Sequence, residues 1–130
     1  MPKKAIQTAG APKAIGPYSQ AVRCGRLVFC SGQLGLVPDS GTMVAGGVRA
    51  QAQQAMDNLR AVLAAADASW ADVVKTTIYL TNLNDFDVVN AVYAEYVQGV
   101  APARATVQVA ALPKGAAVEI EAVAHLEREP

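Results

Sequence analysis

The sequence predicts an α+β fold in which a single mixed β-sheet carries two helices on one face, with the elements in the order β-β-α-β-α-β-β. Three observations lead there. Two stretches repeat their apolar residues at helical spacing, five shorter runs read as extended, and the helical stretches fall between strands instead of in a block of their own. The 130 residues are 52% hydrophobic and 17% charged, enough for one core and too few for two, so residues 1–130 are expected to form one domain.

The elements follow in order. Residues 18–23 and 27–33 are extended runs around Cys24-Gly25-Arg26, a hairpin introduced by Gly16-Pro17. From Gly47 to about Ala68, Val48, Ala52, Ala55, Leu59, Val62, Leu63 and Ala66 recur at steps of three and four, the period of an amphipathic helix. Residues 73–81 alternate as a strand does, with Val74, Thr76, Ile78 and Leu80 on one side and Lys75, Thr77 and Tyr79 on the other. A second helix from Asp85 to Gln98 places Phe86, Val89, Tyr93, Tyr96 and Val97 on one stripe, which Asn90 shares, and Gly99 with Pro102 ends it. Strands 104–109 and 118–126 complete the chain, joined by a loop holding Leu112-Pro113-Lys114-Gly115.

Composition excludes several function classes. Eleven basic residues balance eleven acidic ones, so the chain lacks the positive field that nucleic acid or an anionic membrane would select. No apolar run reaches a membrane span, and Met1-Pro2-Lys3-Lys4 does not open a secretory signal, so a cytoplasmic protein is expected. Two cysteines and one histidine are too few for a zinc site, and no metal is expected. Cys24 and Cys30 are expected to be reduced. His125 has no nucleophile-elbow sequence to serve in a serine–histidine triad.

Two amphipathic helices covering one sheet face leave the other open. Strand alternation assigns Arg104, Thr106, Gln108, Glu119 and Glu121 to that open face, with Ala105, Val107, Val118, Ile120 and Ala122 beneath the helices. These polar groups are either solvated or meet another subunit. A small chain with few aromatic residues and about a fifth alanine gains stability from such extra burial.

Pro102-Ala103-Arg104-Ala105-Thr106-Val107, with Leu112-Pro113-Lys114-Gly115 and Val118-Glu119-Ile120-Glu121, resembles the reactive-intermediate deaminase family, RidA or YjgF. The resemblance extends through Ile15-Gly16-Pro17-Tyr18-Ser19-Gln20-Ala21, Ser31-Gly32-Gln33, Gln54-Ala55-Met56-Asp57-Asn58-Leu59, Val74-Lys75-Thr76-Thr77 and Asn84-Asp85-Phe86 with Val89-Asn90, and covers residues 5 to 126. It implies a chorismate-mutase-like fold of the bacillary type and a homotrimeric barrel with ligand sites between subunits. The reaction implied is hydrolytic deamination of short-lived 2-enamine and 2-imino acids (2-aminoacrylate, 2-iminobutanoate and 2-iminopropanoate). These are released by pyridoxal-phosphate dehydratases and end as 2-oxo acids and ammonia. No cofactor is implied.

The residues suit that chemistry. Arg104 can grip a carboxylate through two parallel hydrogen bonds, which lysine cannot reproduce. Glu119 matches the family glutamate that holds the attacking water, where a base must lie one hydrogen bond away. Burial would favour its neutral form and a nearby arginine its anion. Glu121, two residues on, is assigned a structural polar interaction. Tyr18, Ser31, Gly32, Asn90 and Thr106 are the other substrate-binding positions the resemblance implies. Ser31 offers a hydroxyl and Gly32 a closely approachable backbone. Thr106 stands where several family members have cysteine, so thiol chemistry is lost there, and Cys30 is no substitute.

Spacing adds an expectation of its own. If the last two strands pair with Val107 near Ile120, Glu119 lies opposite Gln108 and roughly 13 Å along the sheet from Arg104. One small substrate cannot reach both, so Arg104 of one subunit is expected to work with Glu119 of its neighbour. Two other functions compete with the deaminase: a non-catalytic module that binds or senses 2-oxo acids through the same arginine, and an endoribonuclease or translation inhibitor, to which zero net charge and a single histidine give little support.

Overall fold

The computed structural model describes residues 2–127; Met1 and residues 128–130, which the sequence places in the same domain, lie outside the described residues. Six strands form one mixed sheet: β1 (Lys4–Ile6), β2 (Ala21–Cys24), β3 (Leu27–Leu34), β4 (Val73–Leu80), β5 (Ala103–Gln108) and β6 (Val118–His125), in spatial order β1-β2-β3-β6-β4-β5. Helices α1 (Gly47–Ala65) and α2 (Phe86–Tyr96) pack together on one face of it. The five expected strands and both helices are present, and a sixth, three-residue strand precedes them. It is too short for alternation to reveal, and its three pairs to β2 hold it on the sheet.

Pairing departs from expectation at the C-terminal strands. They do not pair with each other: β6 inserts antiparallel between β3 and β4, and β5 lies parallel to β4 at the sheet edge. A β4–α2–β5 crossover places α2 on the helix-bearing face beside that edge, the connection a parallel pair requires.

The helices end earlier than periodicity suggests. Ala68 N–H returns to Leu63 C=O and Asp67 takes a positive φ of 60°, which closes α1 at Ala65; Val97 turns extended after α2. Residues 18–20 are loop and not strand. The core lies between α1, α2 and the sheet. Met56, Leu59, Val62 and Leu63 of α1 and Val89, Val92 and Tyr93 of α2 pack on Val28, Ile78, Leu80, Val118, Ile120 and Ala124. Phe86 is 38% exposed, so the α2 stripe runs through Val92 where the spacing put Phe86. No helix among the described residues is long and apolar enough to cross a membrane. Cys24 lies opposite Leu27 and Cys30 opposite Ala21, about 10 Å apart along the hairpin and too far to bridge. Burial beneath α1 pushes the Cys30 thiol up to about 12.

The end of β3 meets α1 at its closest approach. A Cβ added to Gly35 would lie 2.6 Å from Gln51 Cα and 2.7 Å from Gln51 O, a clash with helix backbone that no side-chain rotation relieves. Gly35→Ala is expected to lower stability by about 1–3 kcal/mol, read as a lower urea midpoint at unchanged m value. An unchanged midpoint would mean that β3 and α1 separate more easily than this packing implies.

Candidate functional site

The predicted site residues fall into two groups on different parts of the sheet. The first is built on β5 and α2. Arg104 Nη1 donates to Asn90 Oδ1 at 2.7 Å, and the guanidinium lies over two rings, 5.0 Å from the centroid of Tyr93 and 5.6 Å from that of Phe86. Tyr93 is fixed in turn, its Oη sharing a 2.7 Å hydrogen bond with Thr76 Oγ1 beneath the helix. Gln108 Oε1 accepts from Leu83 N–H and ties the end of β5 to the turn that starts α2. Asn90 is exposed at the rim of the helix, where Arg104 meets the partner need its position on the stripe implies. Thr106 Oγ1 is buried in the crevice between β5 and α2 with no hydrogen-bond partner.

This arrangement corrects the strand parity. Arg104 lies opposite Thr76 and Thr106 opposite Ile78, both buried under the helices, so Arg104, Thr106 and Gln108 face the helix side. Ala105 and Val107 face the open side, where Val107 is 41% exposed. The reason is the edge position of β5. Only the margin of α2 covers its helix-facing side, so polar groups there reach solvent past the helix, and hydrophobicity no longer reports which side is covered.

The second group lies on the open face, on β3, β6 and the loop before β2. Between Cys30 and Gln33 the β3–β6 register shifts, so that Ser31 and Gly32 together oppose Glu121. This bulge brings Gly32 under the neighbouring acid: a Cβ built there would lie 2.6 Å from Glu119 Oε2 and 2.9 Å from its carboxyl carbon. With no Cβ, glycine leaves the room in which the carboxylate rests. Ser31 Oγ donates to Ser19 O at 2.6 Å and Ser31 N–H to Gln20 O at 3.0 Å, which holds the Tyr18 segment on the sheet. The Ser31 hydroxyl therefore fixes Tyr18's loop, a use its strand position alone does not reveal. Buried Gln20 donates to the carbonyls of Thr8, Ala11 and Pro12 and accepts from Thr8 N–H, which pins the preceding loop. Tyr18, more than half exposed, and Ser31 border an open groove of about 560 Å³ with Val22, Phe29, Pro17 and Lys3.

Glu119 stands between Leu34 and Tyr79 in register, and Glu121 beside Thr77. Burial, and then the like charge of Glu121, hold the Glu119 carboxyl above the ordinary carboxylate range. The Tyr79 phenol is also held up, first by burial and then by the charge of Glu121. Tyr79 is thus part of the acidic group. Alternation along 73–81 already put it opposite the buried residues, the one signal that would have found it.

The two groups do not meet within the chain. Arg104 is level with Thr76 and Glu119 with Tyr79, an offset of three residues across two strand spacings, so their Cα atoms are roughly 14 Å apart. An odd offset also places the side chains on opposite faces. The separation expected from the sequence is therefore present for a different reason, because β4 lies between β5 and β6 where direct pairing was expected.

Comparison with known proteins agrees with this framework. Residues 8–126 match the family described as Endoribonuclease L-PSP. The chain is 55% identical to a mouse 2-iminobutanoate/2-iminopropanoate deaminase, over 94% of this chain and 90% of the relative. Among solved structures, RidA from the Antarctic bacterium Psychrobacter aligns at a TM-score of 0.91 with 48% identity, over 95% of this chain and 99% of that one. Escherichia coli TdcF with bound serine aligns at 0.89 with 44% identity, over 94% and 98%. With the six-stranded mixed sheet and two helices in common with these neighbours, the chain belongs to the Endoribonuclease L-PSP family, the RidA/YjgF group.

Proposed function

We propose that this protein is a cytoplasmic, cofactor-independent enzyme that hydrolyses reactive 2-enamine and 2-imino acids to 2-oxo acids and ammonia, in sites shared between the subunits of a homotrimer. The observation that carries the reading is the state of Arg104. Its guanidinium is held by a neutral amide and two ring faces, and no carboxylate pairs with it among the described residues. A planar cation fixed in this way is preorganised for a ligand carboxylate. A mouse relative named for deamination of 2-iminobutanoate and 2-iminopropanoate, and a neighbour that binds serine, are consistent with a small carboxylate ligand.

The open face supplies the argument for assembly. Phe29 is 46% exposed there and Val107 41%, and together with Leu27 they give an exposed apolar surface that a second copy would cover. An interface in which the exposed β5 edge of one subunit meets the open face of the next brings Arg104, with Asn90 and Thr106, to Tyr18, Ser31, Gly32 and Glu119 of that neighbour. Arg104 then binds the substrate carboxylate, which fixes C2 of the imine in front of a water held by Glu119. As the water oxygen bonds to C2, Glu119 takes its proton and the C=N electron pair moves to nitrogen. Returning that proton to nitrogen gives the 2-amino-2-hydroxy acid; Glu119 then takes the remaining hydroxyl proton and passes it to the amine, so that the C=O forms as the C–N bond breaks, releasing ammonia and leaving the 2-oxo acid. An enamine such as 2-aminoacrylate enters the same sequence after tautomerising to its imine. The dehydratases that release these intermediates are the functional partners. The endoribonuclease name of the family suggests a second activity, but zero net charge and a single histidine offer little to a polyanion.

A coupled assay following ammonia release by a threonine or serine dehydratase tests the reading. Added wild-type protein accelerates the release; Arg104→Ala and Arg104→Lys lose on the order of 10²–10³-fold in kcat/KM, and Glu119→Gln loses kcat at unchanged KM. Ligand binding without acceleration would make the protein a binder, and RNA cleavage that survives Arg104→Ala would favour the nuclease. Reassembly of mixed, unfolded R104A and E119A proteins restores part of the activity if sites are shared; demonstrated mixing without recovery refutes sharing. Activity against pH tests the state of Glu119. The deprotonated carboxylate is the base, so a raised pKa shifts the acidic limb to higher pH, and Glu121→Gln, which removes the like charge, moves that limb to lower pH. A limb that stays in place would separate the two carboxylates electrostatically.

A further inference from the structure

Helix α1 carries three amides on the side turned toward the sheet, and they serve no part of the chemistry described above. Asn58, fully buried, donates through Nδ2 to the carbonyls of Leu34 at 3.1 Å and Leu36 at 3.0 Å, while its Oδ1 accepts from Gln54 Nε2 at 2.8 Å. Gln51, two turns earlier, accepts Ala117 N–H on its Oε1 at 2.8 Å. Gly35, between the two carbonyls that Asn58 holds, has no Cβ and so lets this segment rest on the backbone of Gln51.

The backbone points held in this way have a common property. Leu34 is the β3 residue in register with Glu119, and Ala117 lies two residues before Glu119, immediately ahead of β6. Both strands that set the position of the carboxylate are thus anchored to one rigid helix, just beyond the bulge that brings Gly32 under it. Elsewhere the ladder hydrogen bonds of β3 and β6 fix the strands to each other; among the described residues, here helix side chains also hold the backbone at the end of β3 and at the entry to β6. Backbone ladders alone permit the small shear that a bulge invites, and a displacement of about 1 Å at a reacting group costs on the order of a hundredfold in rate.

We propose that Gln51 and Asn58 are positioning residues for Glu119, an amide clamp that holds the ends of β3 and β6 so that the water-binding carboxylate keeps its place over Gly32. The proposal rests on the deaminase reading for its kinetic consequence, but its structural consequence is independent of that reading. The clamp does not touch the Arg104 group, which is built on β5 and α2.

The test compares Gln51→Met, which removes the acceptor for Ala117 N–H, with Gln51→Glu, which keeps it near the start of α1, where the helix dipole favours a negative charge. Gln51→Met is expected to lower kcat on the order of tenfold to a hundredfold at unchanged KM, because carboxylate binding is left intact, and Gln51→Glu restores most of the loss. In parallel, carbon-13 NMR of the Glu119 carboxyl in the assembled protein reads its titration midpoint. The midpoint moves toward the ordinary carboxylate value in Gln51→Met, as loosening admits water, and stays in place in Gln51→Glu. Asn58→Asp, which keeps the acceptor for Gln54 and loses both donors, shifts it in the same direction; where that variant folds poorly, the Gln51 pair carries the test. A fall in kcat that Gln51→Glu does not repair, or a Glu119 midpoint that none of the variants moves, overturns the clamp. A wild-type protein inactive on imines but with a midpoint that moves as described refutes the deaminase reading and leaves the clamp standing.

Discussion

The position of β6 decides what this chain can do alone. Inserted between β3 and β4, it moves β5 to the sheet edge, where a parallel pairing through α2 is the only connection available. From that placement the rest follows. Arg104 sits on an edge strand and faces the helix side, held by α2, whereas Glu119 sits mid-sheet and faces the open side, held by β3 and α1 through the strands beside it. No side-chain rotation brings a residue through a sheet. A ligand that needs both must find them on different copies, which is why the assembly and the reaction in the proposal stand or fall together.

Much of this was legible in the sequence, for reasons that can be stated residue by residue. Both helices are covered along most of their length, so their three- and four-residue spacing survives as a pattern, and Leu59, Val62, Leu63, Val89 and Tyr93 are core residues as the periodicity requires. Strand β6 is covered fully on one face, and its alternation of Val118, Ile120, Ala122 and Ala124 against Glu119, Glu121 and Val123 reads true. Each candidate residue that the resemblance names lies in one of the two local clusters of the structure.

What the sequence concealed has one cause, the difference between local pattern and tertiary neighbourhood. Alternation gives the two sides of β5 but not which side the helices cover, and at an edge the usual rule of apolar-inside fails, so parity alone puts Arg104 and Thr106 on the wrong face. Strand pairing is likewise invisible to alternation, and consecutive strands are a reasonable first choice that a crossover overrides. The bulge at Ser31 and Gly32 leaves no compositional trace beyond a glycine. Met56 and Asn58 are fully buried yet escape a pattern built on aliphatic residues, Asn58 because its partners are backbone carbonyls more than twenty residues away.

The electrostatics of the separated clusters give the composite site a physical rationale. On one side of the sheet a guanidinium is held against aromatic faces with no carboxylate paired to it among the described residues; on the other a half-buried carboxylate is crowded by a second acid and held toward its neutral form. Each is a local cost in the single chain, of the kind that folds retain where function requires it. Brought together across an interface, the cation lowers the carboxyl's pKa and the carboxylate supplies the missing counter-charge, so each would relieve the cost of the other. In the proposed shared site, a substrate carboxylate on Arg104 would take up the cation's charge and leave Glu119 with the basicity that burial and Glu121 impose. In this arrangement the basicity of the glutamate would rise when the imine is in place to be attacked, and the opposing charges would hold the empty site together.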